Sequence, residues 1–173
     1  MFRISELKQH KNKYLREGMT EENNDLASRG ARLGAVIFDV LIIFPILFGI
    51  AKATGFWDTI FPRLANGIPL SIEENIVAFL VGQTLFLVLN GAFLIKNGQT
   101  IGKKIMNVKI VSMQRKQVGI VKLYTLRYLV FSFAYQIPAV GPLINLINVL
   151  FIFGKERRCI HDRIAGTFVI KAK

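Results

Sequence analysis

Residues 33–51 and 76–95 are almost free of charge, because Asp39 is the one charged side chain in the two stretches together. About 20 consecutive apolar residues allow a helix to cross about 30 Å of hydrocarbon. The helices of a soluble domain usually keep a polar face, which neither stretch shows. The sequence therefore predicts two membrane-spanning helices.

The composition narrows the functions that the chain can have. Its 173 residues are 52% hydrophobic with a formal charge of +12, yet the basic residues flank the apolar stretches instead of forming a separate basic domain. This pattern is typical of membrane proteins, in which flanking cations determine the orientation, and it argues against nucleic-acid binding. A single cysteine, Cys159, excludes an intramolecular disulfide, and two histidines are too few for a site of several imidazoles. We expect no metal, no cofactor and, since no nucleophile with a base is visible, no enzyme activity.

The distribution of charge predicts the orientation. Arg29 and Arg32 precede the first span, residues 52–74 carry more acidic than basic side chains, and cations accumulate again in residues 96–127 and 155–173. Positive charge marks the side that is not translocated. We therefore expect a multi-pass protein of the cytoplasmic membrane with both termini in the cytoplasm.

The apolar region 123–153 would form a helix of about 45 Å if it were continuous, which is too long for a bilayer. Prolines at both ends of residues 138–142 predict a break there. A helical hairpin that enters and leaves on one side fits the cationic tail best. Two short tilted spans and one kinked span stay open.

Residues 105–121 contain two β-branched runs around a polar centre, which predicts a β-hairpin, with an amphipathic interfacial helix as the alternative. Residues 164–170 are typical of a turn into a short strand. The predicted fold is an all-α membrane protein with two full transmembrane helices, a Pro/Gly-broken helical hairpin and a small cytoplasmic β-hairpin or strand. Residues 1–27 form a cytoplasmic arm before this membrane domain, residues 28–173.

Three spans or motifs carry candidate functional residues. Asp39 lies inside the first span, where a carboxylate is costly without a partner. Arg32, on the same helix face, is its first candidate partner, and Arg127 or the tail cations are others. A cation or proton site and an ion pair that fixes packing are both open interpretations.

Gln83 and Asn90 are seven residues apart on the second span and therefore share a face, which should look into a bundle. After this span, Gly98, Gln99, Thr100, Gly102 and Lys103 resemble a phosphate loop only superficially, because the glycines are too close and Lys104 replaces the required Ser or Thr. We interpret this segment as a tight cytoplasmic turn. Its glycines allow close backbone approach, and Lys103 and Lys104 should lie near lipid headgroups.

Near the end of the sequence, His161 and Asp162 precede the predicted strand. Asp162 is expected to cap a turn or to accept a hydrogen bond from Arg32 or Arg29. His161 is a supporting polar residue, since a His-Asp pair without further ligands is too little for a metal-dependent hydrolase.

These motifs together are similar to the RDD family, named for an arginine and two aspartates. The matching segments are residues 32–39, 98–103 with 108–111, and 161–170, and the resemblance covers residues 28–172. It implies that Arg32, Asp39 and Asp162 are the eponymous positions. It also implies a bacterial or archaeal membrane protein, and cation/proton exchange has been suggested for some members.

Two functions follow as expectations. The first is a cation/proton exchanger in which Asp39 binds a proton or a monovalent cation beside Arg32. One chain offers few helices, so a conduction path would need a homo-oligomer. The alternative is a non-catalytic membrane module that binds a protein partner or an anionic lipid through the basic cytoplasmic face, residues 96–127 and 155–173.

Overall fold

Two long helices dominate the fold. The computed structural model describes residues 25–134, 136–137, 140–154 and 158–172. Helix α1 (Arg29–Ala53) and helix α3 (Ile72–Asn97) have 25 and 26 residues, and the short helix α2 (Phe56–Ala65) joins them. Each long helix measures about 38 Å at 1.5 Å per residue. Both are long and apolar enough to cross a membrane, as predicted.

Side-chain caps explain where these helices begin. The Ser28 hydroxyl accepts a hydrogen bond from the Ala31 amide at 3.1 Å. Ser71 and Glu74 form a reciprocal capping box, in which each side chain accepts a hydrogen bond from the other residue's amide. Helix α3 ends at Gly98, whose φ of 64° is a left-handed conformation that glycine adopts without strain.

The long helices expose apolar side chains on most of their circumference. Leu41 on α1 is 61% exposed and Val88 on α3 is 73% exposed, with many similar neighbours. A continuous apolar surface of this size is not stable in water and indicates contact with lipid. The chain is a membrane protein.

The two strands of the fold lie far apart in the sequence. Strand β1 (Val108–Ser112) pairs antiparallel with strand β2 (Thr167–Lys171), so that Val108 lies opposite Lys171. The strand expected within residues 164–170 is confirmed. The β-hairpin predicted within residues 105–121 is wrong, and so is the interfacial helix, because the second β-branched run enters a helix at Ile120.

Burial explains this choice of partner. Three of the five β1 side chains are buried and need an apolar partner strand. Strand β2 offers three consecutive buried residues, whereas Gln117 and Gly119 interrupt the second run of the predicted hairpin. Tertiary packing therefore outweighs the local pattern.

The apolar region 123–153 is helical in two described segments. In the first, helix α5 (Ile120–Leu123) continues through a π-helical turn, Tyr124–Leu129, into helix α6 (Val130–Ala134). In the second, helix α7 (Val140–Leu150) ends in a 3₁₀ turn. The predicted break at 138–142 falls partly outside the described residues, so its path through the bilayer stays a prediction. Also outside them lie residues 1–24 of the arm, 155–157 of the tail, and 173.

Most of the buried core lies at the end of the molecule where α1 begins and α3 ends. This end, hereafter the charged end, also holds both strands, helix α4 (Ile101–Ile105) and helix α8 (Ile160–Ile164). The core residues are Ala27, Ala35, Leu94, Val108, Ile110, Val118, Leu123 and Val169. The charged end is thus packed like a small soluble domain, and it positions the candidate site.

Candidate functional site

Asp39 is held by the short helix α4. Its carboxylate accepts hydrogen bonds from the Thr100 hydroxyl at 2.6 Å and from the Gly102 amide at 2.7 Å, and the Lys103 ammonium lies 3.8 Å away. Amide donors at a helix start favour a negative charge. Asp39 therefore anchors α4 to α1.

Gly102 makes this contact possible. A Cβ atom on Gly102 would lie 2.1 Å from the carbonyl oxygen of Ala35 and 2.8 Å from the Asp39 side chain. Only a residue without a side chain permits the two helices to approach so closely. Gly98 plays a similar part beside β1, where a Cβ would lie 2.6 Å from the carbonyl oxygen of Ile110. The close backbone approach expected of this turn is confirmed.

The predicted pairing of Arg32 with Asp39 is wrong. The first turn of α1 lies beside β2, where the Ala27 amide donates to the carbonyl of Val169. Arg32 therefore donates to the same carbonyl, at 3.0 Å, and to Asp162, at 3.3 Å. The cation beside Asp39 is Lys103, which is 8% exposed.

Asp162 is the centre of a buried charge cluster. It is 1% exposed and pairs with both Arg32 and Arg127, and the Cys159 amide donates to it at 3.2 Å. Arg127 also donates to the Thr167 hydroxyl at 2.8 Å. One carboxylate thus joins α1, the π-helical turn and α8. Of the partners expected for Asp162, the structure places Arg32 there.

The charge state of Asp162 follows from two opposing effects. Burial raises the pKa of the carboxyl, but the positive charges of Arg127 and Arg32 lower it by more, and the net pKa lies below its ordinary value. The carboxylate is therefore ionised at neutral pH. Removing it would take away the carboxylate that two buried guanidinium groups share.

His161 is a neutral contact residue. Burial, and after it the charge of Arg127, lowers the pKa of His161 to about 3. Its ring Nδ1 lies 3.0 Å from the Asn148 side-chain oxygen, which also accepts from the His161 amide at 3.2 Å. His161 therefore ties α8 to α7 in its uncharged form.

The donors of Cys159, His161 and Asp162 lie within 4.8 Å of one another, close enough for a metal ion. However, the Asp162 carboxylate is already shared by two arginines. Burial raises the pKa of the Cys159 thiol to about 11, so a metal ion would have to displace its proton in order to bind. These residues are poorly suited to a metal.

The polar residues of α3 face the rest of the fold, as their spacing predicted. The Tyr124 hydroxyl donates to Gln83 at 2.8 Å, and Asn90, 1% exposed, accepts from the Ile101 amide at 2.8 Å. Beyond the end of α3, the Gln99 side chain donates to the carbonyl of Val108 at 2.9 Å. These bonds fix the end of α3 to α4 and β1.

A cavity of about 500 Å³ lies between α1 and the 123–153 region. Its polar wall contains three cations, Arg32, Lys103 and Arg127, but only two carboxylates, those of Asp39 and Asp162. His161 also borders it and is neutral. Among the described residues that line the cavity, cationic side chains therefore outnumber carboxylates by three to two.

The remaining walls are mostly apolar. They include Val40, Ile43 and Leu47, which lead along α1 away from the charged end, and Phe131 from α6. The hydroxyl of Tyr128 is buried at this cavity and has no hydrogen-bond partner among the described residues. The cavity thus combines a cationic polar wall with walls that are mostly apolar.

Several residues of the site were missed from the sequence. Thr167 is fully buried and orients Arg127, and Asn148 holds His161. Asn145 and Asn148 lie three residues apart in an apolar helix and both line the cavity. Paired amides in an apolar segment are a signal that could have identified them.

Comparison with known proteins agrees with the geometry. The family model described as "RDD family" matches residues 26–166. The chain is 30% identical over 135 residues to a Bacillus subtilis (strain 168) protein named "Uncharacterized protein YckC". The match covers 71% of this chain and 87% of that protein. No solved structure matches the chain. With Arg32, Asp39 and Asp162 all placed at the charged end, the chain belongs to the RDD family.

Proposed function

We propose that this protein is a non-catalytic membrane module that binds an anionic amphiphile in the cavity beside α1. The observation that carries the proposal is a cavity wall with three cationic side chains, Arg32, Lys103 and Arg127, in a cavity whose other walls are mostly apolar. Cationic groups at the wall attract an anionic head and can donate charged hydrogen bonds to it. An apolar tail would lie along Val40, Ile43 and Leu47.

The position of the cavity supports the same ligand. Large exposed apolar side chains begin on α1 at Val36, one turn after Arg32. We therefore expect the arginines to lie near the edge of the lipid-facing surface, at the depth of headgroups. A volume of about 500 Å³ is within the usual range of small-ligand pockets and suits a single chain better than a whole two-chain lipid.

Laurate and dodecanol, which share a twelve-carbon tail, test this proposal. We expect laurate to raise the melting temperature of the protein in dodecyl maltoside, because a ligand that binds only the folded state stabilises it by about 3 kcal/mol at a hundredfold excess over Kd. Dodecanol should not. Ile43→Trp, which fills the cavity, should abolish the laurate effect, whereas Leu41→Trp, on the outer face of α1, should preserve it. Equal effects of laurate and dodecanol would contradict the proposal.

A second candidate is cation/proton exchange, favoured by one observation: Asp39 lines the same cavity with its side chain 16% exposed. A proton or monovalent cation would have to compete with Lys103 for this carboxylate, and not with Arg32. Proteoliposomes containing Asp39→Asn should then lose sodium-driven dissipation of a pH gradient, while Asp58→Asn, at an exposed pair, should keep it. Retention of exchange by Asp39→Asn would exclude this role.

For either function we propose that the charged end faces the cytoplasm, in the cytoplasmic membrane, because cations are retained on that side. A homo-oligomer is required only by exchange, which needs a continuous path. A protein partner on the basic face remains the third proposal. In a Cys159→Ser background, a thiol reagent that does not cross the membrane should label Asn66→Cys, which lies between α2 and α3, when it is added to intact cells. Labelling only after the reagent reaches the cytoplasmic side would show the opposite orientation.

A further inference from the structure

A second concavity, of about 550 Å³, lies at the charged end between the end of α3 and strand β1. It shares none of its lining residues with the cavity described above. Three lysines border it, Lys96, Lys104 and Lys109. We call it the basic groove.

The lysines of the basic groove have no ion-pair partner within the part of the chain that the structure describes. The described carboxylates of the charged end are already paired with other groups, one of them with Arg115, which also borders the groove. Asp25 pairs with Arg115 at 2.8 Å, and Asp39 and Asp162 hold α4 and the arginine cluster. The groove is therefore positively charged among the described residues and attracts anions.

The groove also offers neutral hydrogen-bond donors. The side chains of Asn97, Asn107 and Gln117 border it, and Gln117 already donates to the carbonyl of Ile95. Lys104 is partly fixed, because its ammonium lies 4.7 Å from the centre of the Phe93 ring. Ammonium groups and amides around a concave site match the oxygens of a phosphate group.

We propose that the basic groove binds a phosphate-bearing anion. Phosphate is favoured over a carboxylate because three lysines require more than one negative charge, and a phosphate offers several acceptor oxygens. The proposal does not rest on the cavity beside α1. The same chemistry is found in a soluble phosphate and in the headgroup of an anionic phospholipid.

Two measurements on the full chain distinguish these sources. Calorimetry with inorganic pyrophosphate, on protein in dodecyl maltoside, tests a soluble ligand. Native mass spectrometry after exchange from nanodiscs of phosphatidylglycerol or phosphatidylcholine tests a headgroup. If the ligand is a soluble phosphate, we expect binding of pyrophosphate in the first measurement. If it is a phospholipid headgroup, we expect preferential retention of phosphatidylglycerol in the second.

Matched variants test the site itself. Lys104→Gln/Lys109→Gln should weaken the observed binding by about tenfold or more, since each charged hydrogen bond contributes substantially. Lys122→Gln/Lys171→Gln removes the same charge outside the groove and should change binding less than about twofold. Equal losses in both pairs, or no binding of either probe by the unaltered protein, would overturn the proposal. Ile43→Trp should leave groove binding intact, so a failure of the cavity proposal is distinguishable.

Discussion

At the scale of single residues, the site is organised by competition for two carboxylates. Asp162 takes both nearby arginines, so Asp39 is left with a hydroxyl, an amide and a lysine. Helix periodicity placed Arg32 and Asp39 on one face of α1 but did not show which of them another segment would contact. The answer depended on β2 and α8, more than 120 residues further along the chain.

Asp162→Asn should destabilise the protein by about 3–5 kcal/mol, because it removes the charge of a carboxylate that two buried arginines share. Thermal melting in dodecyl maltoside measures this. Asp58→Asn removes a carboxylate from an exposed pair with Lys52 and serves as the control, with little expected loss. Similar melting temperatures for the two variants would show that the cluster does not hold the charged end together.

The neutral state of His161 predicts a dependence of stability on pH. Its pKa is about 3 in the folded protein and about 6.5 when unfolded, so between these values the unfolded chain binds the proton and the folded protein does not. The neutral His161 therefore contributes fully to the free energy of unfolding above about pH 6.5. This contribution is lost as the pH falls, by up to about 1.4 kcal/mol per pH unit. As the pH falls from 7 to 4.5, the melting temperature of His161→Gln should decrease less steeply than that of the unaltered protein. Identical slopes would mean that His161 is protonated in the folded state.

At the scale of elements, α4 is the part that the sequence identified least completely. The glycines indicated a tight turn, and the structure adds five helical residues that dock on α1 through Gly102. The two spans were predictable because length and apolarity are local properties. The pairing of β1 with β2 was not, because a short strand selects its partner by burial and the partner lies 55 residues away from the end of β1.

Gly102→Ala should separate α4 from α1, since its Cβ would lie 2.1 Å from a backbone carbonyl oxygen. We expect a loss of at least about 1–3 kcal/mol, the usual range for overpacking. Gly119→Ala is the matched control, because its Cβ would meet nothing within 4 Å and its φ of −60° suits alanine. Melting temperatures of the two variants test the contact. An unchanged melting temperature of Gly102→Ala would show that α1 and α4 are not in close contact.

At the scale of the whole molecule, a folded charged end is joined to two lipid-facing helices, and the cavity lies where they meet. The positive-inside pattern and the apolar spans were readable from the sequence. The cavity was not, because its walls come from α1, the 123–153 region, α8 and β2, whose relative positions depend on tertiary packing. Its cationic wall was equally unpredictable, because Arg32, Lys103 and Arg127 come from three separate segments of the chain.

The most direct test of the central claim, an anionic amphiphile in this cavity, is fluorescence quenching by a brominated tail. In a Trp57→Phe background, Leu47→Trp places the sole tryptophan on the cavity wall, and Ile46→Trp places it on the neighbouring lipid-facing surface. The account predicts saturable quenching of Leu47→Trp by 12-bromododecanoate and weaker, non-saturating quenching by 12-bromododecanol. Equal, non-saturating quenching of both tryptophans by both compounds would contradict it.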